Sequence, residues 1–324
     1  MKHALKAAIL LVSLLTIPFY VTGCGPKAEP GKPARPRVAL IMKSLANEFF
    51  LTMENGARAH QKANAEKYEL LANGIKDELD VARQIDLVEQ MIAQRVDAIV
   101  IAPADSKALV AVCKKAVDAG IAVVNIDNKF DASVLADKQA ALPFVGPDNR
   151  LGAKLVGDYL GKRLKQGDEV AIVEGAPNAF NAVQRKLGFE DAMNATGAKI
   201  VSSQSGYWET DKGNQVVGAL VTEHPNLKAV LCSNDSMALG AVAALRAAGK
   251  LEQVLVVGYD NISAVQQLLK EGKILATADQ HADQLAVFGI EYALEMIGKK
   301  QTPTDRQTPV ELVTAETLSA GQKK

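Results

Sequence analysis

Residues 37–50 read RVALIMKSLANEFF, and this stretch decides the fold class. It opens with a short aliphatic run, partly β-branched, which is typical of a strand buried on both faces of a parallel sheet. Such a strand normally leads through a turn into an amphipathic helix. Before the helical pattern begins, four side chains able to bond or stack on a ligand follow the strand: Lys43, Asn47, Phe49 and Phe50. The stretch therefore predicts a βα unit whose strand ends in hydrogen-bonding groups and two aromatic rings.

The same alternation of strand and helix patterns continues along the chain. The predicted strands cover residues 37–43, 68–73, 98–102, 122–127, 144–147, 169–174, 199–205, 229–233, 254–259 and 274–279. Most are separated by helical segments of ordinary length, such as the one that ends at Gly249. After about four units the pattern restarts near Phe144. This order predicts an α/β fold with two doubly wound parallel-sheet domains, each sheet covered by helices on both faces.

The composition fits this interpretation and narrows the function. The chain has 324 residues, and 48% of them are apolar, which is enough to fill two cores of ordinary size. Its 37 basic and 37 acidic side chains give a net charge of zero, so no general attraction to nucleic acid or acidic membranes is expected. Aromatic residues make up only 5% of the chain. The adjacent Phe49 and Phe50 and the single tryptophan, Trp208, therefore stand out.

Residues 1–23 are predicted to be a signal peptide and not part of the fold. A basic start precedes an apolar stretch, residues 7–20, that is too short to span a bilayer comfortably. The stretch leads into Val-Thr-Gly-Cys, which resembles the lipidation site of bacterial lipoproteins. An ordinary secretory signal with a chance cysteine is the alternative, and the small residues before Cys24 argue against it. We expect an exported protein that is lipid-anchored at Cys24 to the cell membrane, faces the periplasm or the cell exterior, and has residues 24–36 as a flexible tether.

The remaining cysteines and the histidines indicate neither a metal site nor a cofactor. Cys113 lies on a helical pattern and Cys232 on a strand pattern, far apart in sequence. Free buried thiols are the expected state, and a disulfide between them is the alternative. The four histidines form no pair with the spacing of metal ligands.

Polar side chains recur at the carboxyl ends of the later strands, where ligands bind in open α/β sheets. Following the strands in order, these residues are Asp127, Asn128, Arg185, Trp208, Asn234, Asp260 and Gln280. Carboxylates and amides can bond neighbouring hydroxyl groups, and an arginine offers a fixed fork of donors. An aromatic ring can cover the apolar face of a sugar. Taken together, the pattern indicates a sugar site.

Each of these residues also has a purely structural interpretation. The possible helix caps are Asp127, Asn234 and Asp260. Arg185 could be a solvated charge on a helix, and Phe49 could anchor its helix onto the sheet. Trp208 stands in a polar stretch, where core packing is the weaker explanation. Only the combination favours a ligand site over these alternatives.

Several longer stretches resemble the ribose/allose group of type I periplasmic sugar-binding proteins, which are the receptors of ATP-driven importers. SLANEFF at residues 44–50 is similar to the first-strand signature of that family, and FVGPDNRLGAK at residues 144–154 is similar to the segment that passes through its hinge. CSNDSMALG at residues 232–240 and VVGYD at residues 256–260 match two further signatures. The resemblance covers nearly all of residues 37–315.

The resemblance implies a ligand site shared by two domains. The implied contacts are Asn47, Phe49, Phe50, Asp127 and Asn128 in the first domain, Arg185, Trp208, Asn234 and Asp260 in the second, and Gln280 at a hinge crossing. Lys43 corresponds to a lysine of the allose branch. Asn128 departs from both branches, since ribose receptors have arginine there and the allose branch has glutamate; Glu48 replaces the usual proline. A pentose, a hexose, a polyol and a ribose-like furanosyl signal therefore stay open as ligands.

The resemblance also implies a domain arrangement and a mechanism. The first domain would comprise residues 37–147 plus 281–311, the second residues 148–280, and the C-terminal tail residues 312–324. Hinge crossings are expected near residues 146–148, 279–281 and 308–312. A sugar would close the two domains because it binds the closed form better. The closed protein, expected to be a monomer, would then dock on an ABC permease.

Three other functions are compatible with parts of this pattern. A sugar-responsive repressor with this fold would need a DNA-binding helix-turn-helix where the signal and tether stand. An enzyme is disfavoured because the chain lacks the common catalytic and nucleotide-binding motifs, although Asp127 and Asp260 could do acid–base work. A receptor for chemotaxis or sensing would keep the same site. The sequence thus predicts a non-enzymatic, extracytoplasmic sugar receptor that needs no cofactor and no nucleic-acid partner.

Overall fold

The computed structural model describes residues 35–299 and 304–321. The predicted signal peptide, Cys24 and nearly all of the tether lie outside the described residues. From Arg35 onward the chain forms one compact unit. No helix within the described ranges has the length and apolar character needed to cross a membrane.

Twelve strands and eleven helices run through the described ranges. The strands are β1 (Arg37–Ser44), β2 (Glu69–Ile75), β3 (Ala98–Ile101), β4 (Ala122–Ile126), β5 (Phe144–Pro147), β6 (Glu169–Glu174), β7 (Lys199–Ser205), β8 (Leu227–Cys232), β9 (Leu255–Val257), β10 (Thr277–Asp279), β11 (Arg306–Thr308) and β12 (Glu311–Val313). The helices are α1 (Glu48–Ala63), α2 (Val81–Ala93), α3 (Val110–Asp118), α4 (Ala132–Asp137), α5 (Asn149–Gly161), α6 (Phe180–Thr196), α7 (Thr210–Glu223), α8 (Asp235–Ala247), α9 (Ser263–Lys270), α10 (Ala282–Gly298) and α11 (Ala315–Gly321). The predicted alternation of strands and helices is confirmed.

The first sheet has six parallel strands in the order β11-β5-β4-β3-β1-β2. The aliphatic run of β1 alternates between its two faces, as the pleat requires. Leu40 packs into a core that includes Leu285 of α10, while Ile41 packs on the opposite face into a core that includes Leu87 of α2. Both faces are therefore covered, which explains why β1 is apolar throughout. We call this sheet with α1–α4 and α10 the first lobe.

The second sheet has four parallel strands in the order β7-β6-β8-β9. Ile172 of β6 packs with Phe189 of α6 on one face, and Val173 packs in the same core as Leu220 of α7 on the other. This sheet with α5–α9 is called the second lobe. Two doubly wound parallel sheets confirm the predicted fold class.

The chain passes between the two lobes at three places: from β5 to α5, from β10 to α10, and from β11 to β12. Near these crossings β10 and β12 form a small antiparallel ribbon. The residues predicted as a C-terminal tail include part of β12 and all of α11, and α11 packs against α9 of the second lobe. The exact division into two domains stays a prediction.

Cys113 and Cys232 are both free and buried, so the expected free thiols are confirmed. Burial raises the pKa of the Cys113 thiol to about 12. The thiol therefore stays protonated and unreactive near neutral pH.

Candidate functional site

A small cavity lies between the lobes, at the carboxyl ends of the strands of both sheets. It is lined by Lys43, Asn47, Phe49, Phe50, Glu78, Asp127, Asn181, Arg185, Trp208, Asn234, Asp260 and Gln280. Of the residues predicted from the sequence, all except Asn128 line it. Glu78 and Asn181 are additions. One closed space thus brings together side chains that are more than two hundred residues apart in the chain.

The first lobe contributes a buried group of three charges. The Lys43 Nζ atom lies 3.2 Å from Asp127 Oδ2 and 3.5 Å from Glu78 Oε2. Burial by itself lowers the pKa of Lys43, but the two carboxylates outweigh this effect and the pKa is raised. Burial raises the pKa of Glu78, and the nearby ammonium partly offsets that shift. Lys43 therefore remains a cation that can donate hydrogen bonds inside the cavity.

Aromatic rings bound the cavity on both sides. Phe49 and Phe50 stand edge to face with ring centroids 5.0 Å apart. The Lys43 Nζ atom lies 5.2 Å from the Phe50 ring centroid and 5.4 Å from that of Trp208 in the second lobe. The ammonium is thus near rings of both lobes, in the range of cation–π attraction.

The second lobe contributes a fixed arginine. Arg185 Nε donates to Asn149 Oδ1 at 2.8 Å, and Nη1 donates to the Ser233 carbonyl at 2.9 Å. The guanidinium also stacks 3.7 Å from the centroid of the Tyr259 ring. These contacts hold the side chain in one orientation and leave only part of its donor fork for a ligand.

Asp260 lies beside this arginine. Its Oδ1 atom is 3.4 Å from Arg185 Nη1 and accepts a hydrogen bond of 2.7 Å from Gln280 Nε2. Burial raises the pKa of Asp260 well above its ordinary value, against the opposing effect of Arg185. Gln280 stands directly after β10, at one of the three crossings, so the crossing itself takes part in the site.

Three of the lining residues have a left-handed backbone: Asp127 at φ 61°, Trp208 at φ 71° and Asp260 at φ 120°. Residues other than glycine seldom adopt this conformation, and they concentrate at functional sites. The helices after the two aspartates do not use them as caps, since Asp131 caps α4 and α9 has no side-chain cap. The capping interpretation is therefore wrong for Asp127 and Asp260.

Capping does hold for two of the three lining asparagines, Asn47 and Asn234. Asn47 Oδ1 accepts from the Phe49 N–H at 3.1 Å, and Asn234 Oδ1 accepts from the Met237 N–H at 2.9 Å. Asn234 Nδ2 in addition donates to the Trp208 carbonyl at 3.1 Å. Both residues thus begin a helix and line the cavity, and each uses its amide oxygen for the cap.

Asn128 lies beside the cavity but does not line it. Its Nδ2 atom donates to the Pro103 carbonyl at 2.8 Å, and its Oδ1 atom accepts from Ser106 Oγ at 3.1 Å. The same oxygen accepts from the Asn181 N–H of the second lobe at 3.3 Å. In this structure Asn128 joins the two lobes, and its role as a ligand contact stays a prediction.

Further contacts join the lobes at the rim of the cavity. On one side the Ser106 N–H donates to the Asn178 carbonyl at 3.1 Å, and Asn178 Nδ2 donates to Asp105 Oδ2 at 2.8 Å. On the other side Glu48 Oε1 accepts from the Ser263 N–H at 2.8 Å. The structure therefore describes a closed arrangement in which protein–protein contacts flank the cavity.

The sequence contained a signal for both residues that were missed. Glu78 comes three residues after the end of β2, and Asn181 belongs to the turn and first helical residues after β6. The rule that ligands bind beyond strand ends applies to every strand of such a sheet. The predicted site included no residue from the ends of β2, β3 or β5.

Comparison with known proteins gives consistent matches. A family model described as a periplasmic binding protein domain matches residues 38–301. The D-ribose/D-allose-binding protein of Pseudomonas aeruginosa is 64% identical over 288 residues, which cover 87% of this chain and 90% of that protein.

Two solved structures are similar along their whole length. A solute-binding protein of an ABC transporter from Burkholderia multivorans, with an unknown ligand assigned as alpha-D-erythrofuranose, has a TM-score of 0.85 and 62% identity; the match covers 87% of this chain and 100% of that one. The periplasmic solute-binding protein from Actinobacillus succinogenes with bound D-allose has a TM-score of 0.84 and 35% identity, with 88% and 100% covered.

Proposed function

Because this chain belongs to the periplasmic binding protein family, we propose that it captures a monosaccharide of the allose or ribose type outside the cytoplasm and delivers it to an ABC-type sugar importer. The observation that carries the proposal is the closed cavity, in which rings, carboxylates, amides and two cations from both lobes converge. That mixture of apolar faces and hydrogen-bonding groups is what a neutral, polyhydroxylated ring requires. Ribose and allose, which the names of these relatives give as their ligands, are of this class.

Capture would proceed by closure of the two lobes. Lys43, Asp127 and the Phe pair belong to the first lobe, whereas Arg185, Trp208 and Asp260 belong to the second. A sugar gains its full set of contacts only when the lobes meet, so it favours the closed form by its higher affinity for that form. We propose that the lobes are the two predicted domains and that the three crossings between them form the hinge.

The proposed role is binding without catalysis. The family is one of sugar receptors, and recovery of the sugar unchanged after long incubation with the protein would support this role. We further propose that the protein acts as a monomer and that its closed form is the one that docks on the permease. Accumulation of a modified sugar would instead indicate an enzyme that uses the Asp127 and Asp260 carboxylates.

The first test is a titration of the purified protein, followed by the fluorescence of its single tryptophan, Trp208. D-Allose and D-ribose are compared with other pentoses and hexoses and with polyols, and melting temperatures are measured in parallel. A saturable fluorescence change with one aldose, together with a raised melting temperature, is expected. Neither signal with any of these compounds would contradict the proposed function.

We propose in addition that Cys24 carries a lipid anchor. The support is the sequence pattern of a basic start, a short apolar stretch and small residues before the cysteine. Cys24→Ala is expected to move the protein from the membrane fraction to the soluble extracytoplasmic fraction. Membrane association that persists in Cys24→Ala would contradict the anchor and leave the sugar proposal intact.

A further inference from the structure

Glu78 is a lining residue for which neither the sequence pattern nor the family resemblance provides a role. It follows β2 in the first lobe, and only 3% of the residue is exposed to solvent. Its Oε1 atom is 3.5 Å from Asn47 Nδ2, and its Oε2 atom has no hydrogen-bond donor. Lys43 Nζ, 3.5 Å from Oε2, supplies an ion pair only. A buried carboxylate that lines the cavity thus has one oxygen without a hydrogen-bond donor.

Glu78 is not the only lining residue with a buried acceptor oxygen that lacks a hydrogen-bond donor. Three lining residues have a buried side-chain oxygen without a hydrogen-bond donor: Glu78 Oε2, Asn181 Oδ1 and Gln280 Oε1. Every one of these atoms is a carboxylate or amide oxygen and can only accept. Buried acceptors without a donor are costly, so a ligand that fits the cavity must supply several donors. Hydroxyl groups on one small ring supply them at suitable spacing.

We propose that Glu78 is a specificity-determining residue of the sugar site and accepts a hydrogen bond from one hydroxyl of the bound monosaccharide. The inference rests on the proposed function and deepens it. Its consequence is that the fully hydroxylated sugar is selected over the analogue that lacks this one hydroxyl. Discrimination of this kind is strong, because the deoxy analogue leaves a buried carboxylate oxygen unpaired.

The local charges favour a neutral hydroxyl donor over a cationic group. Lys43 Nζ already lies beside both Glu78 and Asp127. An ammonium group on the ligand, as in an amino sugar, would place a second positive charge next to Lys43. A hydroxyl satisfies Glu78 Oε2 without this repulsion.

The test uses the sugar that binds tightest and its complete set of monodeoxy analogues, with dissociation constants measured by calorimetry. Three proteins are compared with the wild type: Glu78→Gln, Glu78→Met and the control Asp77→Asn. Asp77 is exposed and adjacent, so its substitution removes the same charge outside the cavity. Circular dichroism and melting temperature establish that each variant is folded.

In the wild type, one monodeoxy analogue is expected to bind on the order of tenfold or more weakly than the parent sugar. Glu78→Met, which has no acceptor of this kind, should bind the parent and that analogue equally. Glu78→Gln should show a reduced difference, and Asp77→Asn should match the wild type. If Glu78→Met binds the parent sugar and the monodeoxy analogue with equal affinity, the double-mutant cycle shows that Glu78 contacts the missing hydroxyl directly.

Two other outcomes separate the possible failures. If both Glu78 variants lose the same factor of affinity for every sugar and keep the wild-type ranking, Glu78 acts only by positioning Lys43 and the proposal is overturned. Unchanged affinities in both variants overturn it as well. If the wild type itself binds no sugar, the proposed function fails first.

Discussion

At the scale of single residues, Trp208 depends on Gly175 for its position. A Cβ atom added to Gly175 would lie 2.1 Å from two atoms of the Trp208 ring. The ring is therefore packed directly on the backbone after β6, and Trp208 reaches it with a left-handed backbone, φ 71°. A glycine is required here by close approach to a side chain and not by its own backbone angle.

Gly175→Ala should push the Trp208 ring away from the backbone and into the cavity. We expect sugar affinity to fall by at least about tenfold, because the ring then occupies space that the sugar needs. Gly218→Ala is the matched control, since a Cβ there meets nothing within 4 Å. The titration described above measures both variants; an affinity of Gly175→Ala equal to that of the control would show that the ring has no part in binding.

Asp235 is a second residue whose environment makes a prediction. It is fully buried, and it accepts hydrogen bonds from Thr277 Oγ1 at 2.8 Å and from the Ile262 N–H at 3.0 Å. Burial raises the pKa of Asp235 to about 7, and the hydrogen bonds only partly oppose this. The folded protein therefore binds a proton here at pH values at which the unfolded chain has lost it.

The sign of the pH effect follows from this raised pKa. The contribution of Asp235 to stability is fully present below the ordinary carboxyl pKa and is lost as the pH rises through about 7. Asp235→Asn lacks the titration, and its one lost acceptor adds a penalty that does not vary with pH. The melting temperature of the wild type should exceed that of Asp235→Asn by a larger margin at about pH 5 than at about pH 8. A difference in melting temperature that grows as the pH rises would contradict the raised pKa.

At the scale of secondary-structure elements, the start of α9 is completed by the other lobe. Ile262 stands at the N-cap position and offers no side-chain acceptor, so the first turn lacks an internal cap. Glu48, at the start of α1 in the first lobe, accepts from the Ser263 N–H at 2.8 Å. This carboxylate takes the place of a cap, and its negative charge interacts favourably with the positive end of the α9 dipole. It can do so only while the lobes are closed.

Glu48→Ala should therefore weaken the closed form and leave each lobe folded. A helix cap contributes about 1 kcal/mol, so sugar affinity should fall about fivefold, chiefly through faster dissociation. Glu54→Ala is the control, because Glu54 is on the same helix and pairs with Arg58. Stopped-flow release of the sugar measures the effect. Equal release rates in the two variants would mean that the cap adds nothing to closure.

Elements and their ends also show what the sequence could and could not predict. The long apolar strands and their order were predictable because burial on both faces leaves a clear pattern in residues such as those of β1. β11 and β12 were missed as strands, since each has three residues and carries charged side chains such as Arg306 and Glu311. The sequence could not predict that the Asn128 side chain turns away from the cavity, because its hydrogen-bond partners Pro103 and Ser106 lie in a loop whose path has no sequence signature.

At the scale of the whole molecule, contacts outside the cavity contribute to closure independently of the sugar. Asp105 and Asn178 join on one side of the cavity, and Glu48 meets the Ser263 N–H on the other. None of these four residues lines the cavity. The closed form thus has stabilising interactions of its own, each on the order of 1 kcal/mol.

The double variant Glu48→Ala with Asn178→Ala should open the protein in the absence of sugar. Its radius of gyration by small-angle X-ray scattering is expected to exceed that of the sugar-free wild type, and saturating sugar should bring the two values together. Glu54→Ala combined with Gly218→Ala provides a control with changes away from the rim. A sugar-free double variant as compact as the wild type would show that these contacts do not bias the equilibrium.

The separation of rim from cavity has a consequence for how such a receptor can evolve. Under the proposed function, substitutions at Glu48 or Asn178 should change how readily the lobes meet, whereas the choice of sugar should depend on the side chains that line the cavity. The concentration at which the protein responds can therefore drift between environments rich and poor in nutrient while the identity of the nutrient stays the same. The same division would let an engineer set the working range of a fluorescent biosensor built on this scaffold without redesigning its selectivity.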